Sequence, residues 1–339
     1  MLANNVYGID LGTRTIKIYN AHGDNVVVEK NMIAIEDKKN LFAYGDSAFE
    51  MFEKAPSNIE ISYPLCNGVI ADIKNMQTLV KCFITDLCKG NVKPADYVIA
   101  VPTDVTEVEK RAFYDVIMDA KIKAKKIVVV EKPIADAVGV GIDVNSPNGH
   151  LLVNIGADTT EISVISLGGL VLSNLLHFGG NRLDESIISF MRKEFNLVIG
   201  QKTAKLLKET IGSALPGRED TMVIVGRDVV SGLPIEKEIS GEVVYNAMKG
   251  NLTNICNSIK MILEKTPPEL AKDIIRSGIY ITGGGSMIHH LDKLFEEITG
   301  IKVNTTDEPE ESAVRGLVKI VSDSKYKRLP FSIKSSMLK

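Results

Sequence analysis

Residues 151–169 read LLVNIGADTTEISVISLGG, and this stretch is typical of a strand, a tight glycine turn and a second strand. Apolar residues on both sides of Gly156 predict the two strands. Glycine lets a backbone approach a phosphate closely, so such turns often bind nucleotides. Two residues are unusual for such a turn: Asn154 is neutral, and Asp158 places a negative charge in the turn itself. The stretch is therefore a working phosphate site, a disabled one or only a hairpin.

The composition indicates an ordinary globular chain. It has 339 residues, 45% hydrophobic and 24% charged, which suggests about two domains. A net charge of -3 gives no sign of nucleic-acid binding. The four cysteines lack zinc spacing and fit a reducing cytoplasm. Neither a signal peptide nor an apolar run long enough to span a bilayer is visible. We expect a soluble cytoplasmic protein.

Strand-like and helical segments alternate along the chain. YVIAVP and KIVVVE flank the helical segment TEVEKRAFYDVIMDA, and a further helix is predicted from Pro133. Thr106 and Glu109 have the spacing of a capping box, which marks a helix start. This alternation predicts an α/β fold with covered sheets.

A weak internal repeat links two parts of the chain. VYGIDLGTRTIKIYN, which begins at Val6, has the same order of features as the stretch at residue 151. Asp10 aligns with Asn154, and Gly12 aligns with Gly156. Two related halves imply a cleft between them, with one hairpin from each half. Strand–turn–strand pairs are common, so a chance repeat stays open at this point.

A third glycine element follows near the C-terminus. GIYITGGGSMIHHLDKLFEEITG predicts a strand, the glycines Gly283–Gly285, Ser286 and then an amphipathic helix, whose N-terminus would favour negative charge. No Gly-Lys-Ser/Thr follows a strand, so the chain has no P-loop. No strand leads into G-x-G-x-x-G, so a dinucleotide fingerprint is also excluded. Three glycine-rich turns, at Gly12, Gly156 and Gly284, favour a phosphate-binding function.

These elements, in this order, resemble the MreB family of bacterial actins within the actin-like ATPase superfamily. The resemblance covers nearly the whole chain and includes GIDLGT, NGVIADI, VEKPIADAVG, GGNRLDESI and, most specifically, LEKTPPELAKDIIRSGIYITGGG. It implies an actin-like ATPase fold: two α/β lobes, each with a larger domain and a smaller subdomain, around a nucleotide cleft. The implied parts are subdomain IA (1–32, 74–148 and 315–339), IB (33–73), IIA (149–180 and 250–314) and IIB (181–249).

The resemblance also implies the ligands, ATP or ADP with Mg2+. Asp10 would hold the metal through water, which suits a cation that sheds its hydration shell reluctantly. For Lys208 and Glu209 the alternative is a solvated helix face. The implied nucleotide-binding residues are Gly12, Thr13 and Arg14 at the β-phosphate, Gly156, Ala157 and Thr159 at the γ-phosphate, Gly284, Gly285 and Met287 at the adenine and α-phosphate, and Lys208 and Glu209 near the ribose. Further nucleotide-binding candidates are Asn154, Asp158, Gly180 and Gly283.

The chain departs from the family pattern around the γ-phosphate. The family's second hairpin reads Asp-Ile-Gly-Gly-Gly-Thr-Thr-Glu, whereas here Asn154, Ala157 and Asp158 replace the aspartate and two glycines. The family's water-positioning glutamate is replaced by Lys132, next to Glu131.

An ammonium cannot accept a proton from water. We interpret Lys132 and Asp158 as a compensating pair that keeps ATP binding and loses efficient hydrolysis, and Asn154 as weakening magnesium handling. Glu131 and Thr159 complete the catalytic candidates of a weak ATPase.

The resemblance implies self-association into cytoskeletal filaments for cell shape or motility, with paralogous MreB chains as further partners. The alternatives are a small-molecule kinase and a chaperone-type ATPase of the same superfamily. The first lacks acceptor-binding insertions, and the second lacks a substrate-binding domain. The C-terminal KYKRLPFSIKSSMLK is basic, so it predicts contact with an anionic membrane or, equally, a solvated tail.

Overall fold

The computed structural model describes residues 5–21 and 25–331. Strands and helices alternate along this part of the chain, as an α/β fold requires. The strands, in chain order, are β1 (Val6–Leu11), β2 (Thr15–Asn20), β3 (Asn25–Lys30), β4 (Ile33–Glu36), β5 (Asn40–Tyr44), β6 (Ile59–Ser62), β7 (Leu65–Cys66), β8 (Val69–Ile70), β9 (Ala95–Val101), β10 (Ala124–Glu131), β11 (His150–Ile155), β12 (Thr160–Ser166), β13 (Gly169–Leu176), β14 (Leu197–Val198), β15 (Thr221–Asp228), β16 (Pro234–Ser240), β17 (Ile279–Thr282) and β18 (Val303–Asn304).

The α-helices, in chain order, are α1 (Asp46–Met51), α2 (Ile73–Leu87), α3 (Glu107–Asp119), α4 (Lys132–Gly139), α5 (Gly180–Phe195), α6 (Gln201–Ile211), α7 (Gly241–Lys265), α8 (Pro268–Ser277), α9 (Leu291–Thr299) and α10 (Ser312–Ser322). Two short 3-10 turns span Gly284–Met287 and Ser324–Tyr326.

The chain forms two compact units. Unit 1 comprises Met1–Pro147, Ile165–Leu175 and Glu310–Lys339, and unit 2 comprises Asn148–Val164 and Leu176–Pro309. The four subdomain boundaries that the resemblance implies stay a prediction.

Unit 1 is built on a sheet with the strand order β10-β9-β1-β2-β3. β1 pairs antiparallel with β2 but parallel with β9, and β9 pairs parallel with β10. The carboxyl ends of β1, β9 and β10 therefore lie at the same edge of the sheet. Buried apolar residues such as Ile9, Ile99 and Phe113 form the core on which the sheet rests. This edge places the end of β1 near the start of α4.

Helices α4 and α10 of unit 1 pack closely because two glycines leave room at their contact. A Cβ at Gly139 would collide with the Ser312 carbonyl, and one at Gly316 would collide with the Ala135 carbonyl. The smaller sheet β5-β4-β6 has its own core at Met32, Ala34 and Ala48. The close packing against α10 therefore holds α4, the helix that carries Lys132, in position.

In unit 2, strands β12, β11, β17 and β18 lie side by side in that order. β11 pairs parallel with β17, so Asn154 stands opposite Thr282. A separate antiparallel sheet has the order β14-β15-β16. Helices α5, α6 and α7 contact one another.

The structure confirms the α/β class and the capping box of α3. The Thr106 hydroxyl accepts from the Glu109 amide at 3.2 Å, and the Glu109 carboxylate accepts from the Thr106 amide at 2.7 Å. The helix expected after the third glycine element is present as α9, but it does not follow Ser286 directly. A 3-10 turn comes first, and α9 begins at Leu291 because His290 adopts a left-handed φ of 61° at the N-cap.

Candidate functional site

The first glycine turn joins β1 and β2 in unit 1. The Gly12 amide donates to the Thr15 carbonyl at 3.1 Å, and a Cβ at Gly12 would lie 2.9 Å from that same oxygen. The turn must therefore begin with glycine. Thr13 and Arg14 are half-buried at its tip. Their backbone N–H groups are candidates for phosphate binding, as the resemblance implies.

Asn31 supports this turn from behind. Its side-chain amide donates to the Gly12 carbonyl at 2.9 Å, and its backbone amide donates to the Arg14 carbonyl at 2.9 Å. Asn31 is fully buried. Because it binds both ends of the turn, it fixes the direction in which the turn's N–H groups point.

Asp10 lies at the end of β1 and faces two lysines. Its Oδ1 lies 3.3 Å from Lys132 Nζ, and its Oδ2 lies 3.6 Å from Lys17 Nζ. Lys17 stands opposite Asp10 in the β1–β2 register. Lys132 is the first residue of α4, where a cation is unfavourable because the helix dipole is positive at that end. The carboxylate of Asp10 offsets that cost.

Two carboxyl groups at this edge of the sheet have shifted pKa values. Burial opposes ionisation of Asp10, which is 2% exposed, but the ammonium groups of Lys132 and Lys17 outweigh burial and hold its pKa below the ordinary value of 3.8. Burial raises the pKa of Glu131, and the nearby Lys110 opposes that rise. Asp10 is therefore an ionised partner of two cations, whereas Glu131 binds protons more readily than a free glutamate.

The second glycine turn joins β11 and β12 in unit 2. The Gly156 amide donates to the Thr159 carbonyl at 2.8 Å, and a Cβ at Gly156 would lie 3.1 Å from that oxygen. Asn154, at the position that repeats Asp10, is buried and donates through Nδ2 to Thr282 Oγ1 at 3.0 Å. The backbone of the repeat is thus reproduced, while its charge is not.

The start of α5 holds the second turn in place. The amides of Gly180 and Asn181 donate to the carbonyls of Gly156 and Ala157 at 2.9 and 2.7 Å. The Asn181 side chain also donates to Asp158 Oδ1 at 2.5 Å. Asp158 is therefore accommodated in the turn by an amide.

Lys208 belongs to the same assembly. Its ammonium lies 2.6 Å from Asp184 Oδ1 and donates to the Gly180 carbonyl at 2.8 Å. Lys208 is buried, which contradicts the alternative that it belongs to a solvated helix face. Glu209 is exposed and lies 3.5 Å from Lys205.

The third glycine element packs against the second turn. Gly283 has a φ of 78°, and its amide donates to the Pro309 carbonyl at 2.8 Å. A Cβ at Gly283 would lie 2.5 Å from the Ile155 carbonyl, and one at Gly285 would collide with the Ile155 side chain. These two glycines are needed for packing. Met287 is 67% exposed.

The predicted residues fall into two groups. Unit 1 brings Asp10, Glu131 and Lys132 to the sheet edge that carries the first turn. Unit 2 gathers the second turn, Gly180, Lys208 and the third glycine element.

Sequence reasoning missed four supporting residues: Lys17, Asn31, Asn181 and Asp184. Only Lys17 leaves a local signal, because the two-residue alternation of β2 and the short turn place it opposite Asp10.

The donors at Asp10 do not fit a directly bound Mg2+, because each carboxylate oxygen already faces an ammonium. Within residues 5–21 and 25–331, no group of three or more His, Cys, Asp or Glu side chains is arranged to hold a metal ion. In the same ranges, no helix combines the length and apolar content that crossing a bilayer requires.

Comparison with known proteins agrees with this geometry. The family model of the MreB/Mbl protein matches residues 4–328. The cell shape-determining protein MreB of Escherichia coli strain K12 is 36% identical over 322 residues, covering 92% of each chain. The cell shape-determining protein Mbl of Bacillus subtilis is 34% identical over 313 residues, covering 91% of this chain and 93% of the relative.

Solved structures show the same fold. MreB5 of Spiroplasma citri bound to AMPPNP is 34% identical with a TM-score of 0.89, covering 100% of this chain and 99% of the other. The MamK double helical filament is 22% identical with a TM-score of 0.78, covering 94% of this chain and 99% of the other, and shows the fold alone. The chain has the actin-like ATPase fold and belongs to the MreB/Mbl family.

Proposed function

We propose that this chain is an ATP-binding bacterial actin that polymerises into cytoskeletal filaments for cell shape or motility, with slow ATP hydrolysis. The observation that carries the proposal is the repeated glycine turn. Both turns close with the same amide-to-carbonyl hydrogen bond, at Gly12–Thr15 and Gly156–Thr159. Glycine turns of this kind can offer backbone N–H groups to a phosphate, which supports the proposal.

Relatives support the individual parts of the proposal. MreB5 of Spiroplasma citri has been solved with AMPPNP and with ADP, so we assign ATP and ADP as ligands. The MreB and Mbl relatives are named as cell shape-determining proteins, which supports a cytoskeletal role. We therefore assign self-association and a place in the cytoplasmic cytoskeleton. Association with paralogous MreB chains is a further proposal.

Slow hydrolysis follows from the side chain at position 132. The Lys132 ammonium, beside Asp10, neither accepts a proton nor orients water as an acceptor. Glu131 is the alternative water-positioning residue, and its raised pKa makes it a stronger proton acceptor than a free glutamate. The pairing of Lys132 with Asp158 stays a prediction, since the contacts that the structure describes are with Asp10 and with Asn181 respectively.

Two contacts that the sequence predicts are not part of this proposal. A water-mediated Mg2+ at Asp10 conflicts with the two ammonium groups already there. The basic C-terminal segment was predicted to contact an anionic membrane, and its residues 332–339 lie outside the described residues.

Nucleotide affinity of Gly284→Leu tests the binding site. A leucine there would occupy the adenine's space, so ATP affinity should be lost. Gly283 and Gly285 are unsuitable positions for this test, because side chains there collide with Ile155 and disturb the fold. Retained ATP affinity in a folded Gly284→Leu protein would mean that the assigned pocket is wrong.

Sedimentation with and without ATP tests the filament. The proposal requires pelletable polymer at high protein concentration and moderate salt. Neither a small-molecule kinase nor a chaperone-type ATPase requires such polymer. A chain that stays in the supernatant under all these conditions would favour those alternatives.

A further inference from the structure

We propose that the Lys132 ammonium takes the place of the divalent cation at Asp10, so that this chain binds the phosphates of ATP and ADP without Mg2+. The proposal deepens the proposed function and rests on it. It concerns the side of the nucleotide site that unit 1 supplies.

The first step is the position of Lys132. β1 and β10 are both parallel to β9, so the end of β1 and the start of α4 meet at one edge of the sheet. Asp10 is the next-to-last residue of β1, and Lys132 is the first of α4. The packing of α4 against α10 fixes the helix that carries the ammonium. Strand pairing and helix packing therefore hold the Lys132 ammonium beside Asp10.

The second step is the charge at this edge. Asp10 carries one negative charge, and Lys17 and Lys132 each carry one positive charge, so the cluster has a net charge of about +1. With the glutamate that the family pattern has at position 132, the same cluster would carry about -1. A cluster of net negative charge repels a phosphate unless a further cation offsets that charge. The cluster in this chain does not.

The third step is competition for Asp10. A Mg2+ bridged by water to Asp10 would have to share a carboxylate whose two oxygens lie 3.3 and 3.6 Å from ammonium groups. Mg2+ favours sites with free carboxylate oxygens and well-ordered water. The described residues therefore favour the ammonium over the metal.

The test measures the dissociation constants of ATP and ADP in Mg2+ and in EDTA. For the wild-type chain, chelation should weaken binding by less than about threefold. For Lys132→Gln, which removes the charge and keeps a polar side chain one atom shorter, chelation should weaken binding at least about tenfold, because one nearby positive charge is lost. Lys132→Arg keeps the charge and should behave like the wild type.

Lys325→Gln is the matched control. Lys325 also pairs with an aspartate, Asp143, at 2.9 Å, but this pair is exposed and lies outside the glycine turns. For Lys325→Gln, the ratio of the dissociation constant in EDTA to that in Mg2+ should equal the ratio for the wild type. Thermal unfolding of each variant, without nucleotide, reports whether it is folded.

The outcomes separate the two proposals. If the wild type binds no nucleotide even in Mg2+, the proposed function is wrong. If it binds in Mg2+ and loses tenfold or more in EDTA, only the inference about Lys132 is overturned. The inference about Lys132 is also overturned if folded Lys132→Gln and the wild type have equal ratios of the dissociation constants in EDTA and in Mg2+.

Discussion

The two glycine turns have nearly the same backbone and opposite electrostatic surroundings. In both, the first glycine donates to a threonine carbonyl three residues later, at 3.1 Å in the first turn and 2.8 Å in the second. The first turn follows Asp10, which two ammonium groups surround. The second follows the neutral Asn154, which donates to a threonine hydroxyl, and contains Asp158. A repeated backbone therefore does not imply a repeated charge.

The supports of the two turns also differ. In the first turn a side chain, Asn31, donates to the Gly12 carbonyl. In the second turn the backbone of α5, at Gly180, donates to the Gly156 carbonyl. Truncating the Asn31 side chain removes the first support, whereas the second is a backbone hydrogen bond that side-chain truncation leaves in place. The comparison can thus be tested one turn at a time.

The largest expected effect concerns hydrolysis. Lys132→Glu together with Asp158→Gly restores the family's residues and should raise phosphate release at saturating ATP, with acid–base assistance alone contributing about 10²–10⁴-fold. Lys132→Glu alone should do little, because the new carboxylate, Asp158 and the γ-phosphate would repel one another. The measurement is a double-mutant cycle on phosphate release, performed in Mg2+ because a glutamate at 132 stands beside Asp10.

Greater-than-additive gains would show that the two positions are coupled. Strictly additive effects would mean that Lys132 and Asp158 do not communicate. A wild-type rate equal to that of relatives with the glutamate would assign the water to Glu131 or to another residue.

The next effect concerns stability. Asp10→Asn makes the first turn resemble the second and leaves two partly buried ammonium groups without their carboxylate. Removing one partner of a buried pair typically costs about 3–5 kcal/mol, so the free energy of unfolding should fall by about that amount. Denaturant unfolding measures it. Asp143→Asn breaks an exposed pair with Lys325 and should cost less than about 1 kcal/mol. If the two variants lose the same free energy of unfolding, the buried contacts of Asp10 with its two lysines contribute no more than an exposed ion pair.

A smaller effect is expected from the supports. Asn31→Ala leaves the buried Gly12 carbonyl without its side-chain donor and should cost about 1–3 kcal/mol of stability. Asn181→Ala removes only the side-chain bond to Asp158, because the Asn181 backbone bond to Ala157 remains, and should cost about 0.5–1.5 kcal/mol. Denaturant unfolding distinguishes the two, and a larger loss for Asn181→Ala would reverse our ranking of the supports.

The smallest effect is a dependence on pH. The pKa of Asp10 is lower in the folded chain than its ordinary value of 3.8. A lowered pKa stabilises the fold above the unfolded pKa, and this stabilisation is lost as the pH falls through the folded pKa. The stability difference between the wild type and Asp10→Asn should therefore shrink below about pH 4. A difference that stays constant down to acid unfolding would mean that folding does not lower the pKa of Asp10.

The sequence by itself determined the local elements. The glycine turns at Gly12 and Gly156 and the capping box at Thr106 and Glu109 form as predicted, because their hydrogen bonds join residues three apart. The α/β class also followed from the sequence, because strand and helix periods alternate along it. The 3-10 turn over Gly284–Met287 was missed, and α9 begins only after it, with His290 and not a glycine as its left-handed N-cap.

The tertiary structure alone decided which charges meet. Lys132 contacts Asp10, Asn31 donates to Gly12, and Lys208 contacts Asp184, although each pair is far apart in the sequence. These contacts depend on which strands pair and in which direction, as when β9 places the ends of β1 and β10 at one edge. Residues 132 and 158 stand out in the sequence as departures from a pattern. The partner that each of them contacts, Asp10 for Lys132 and Asn181 for Asp158, is set by the path of the chain, and no local pattern encodes that path.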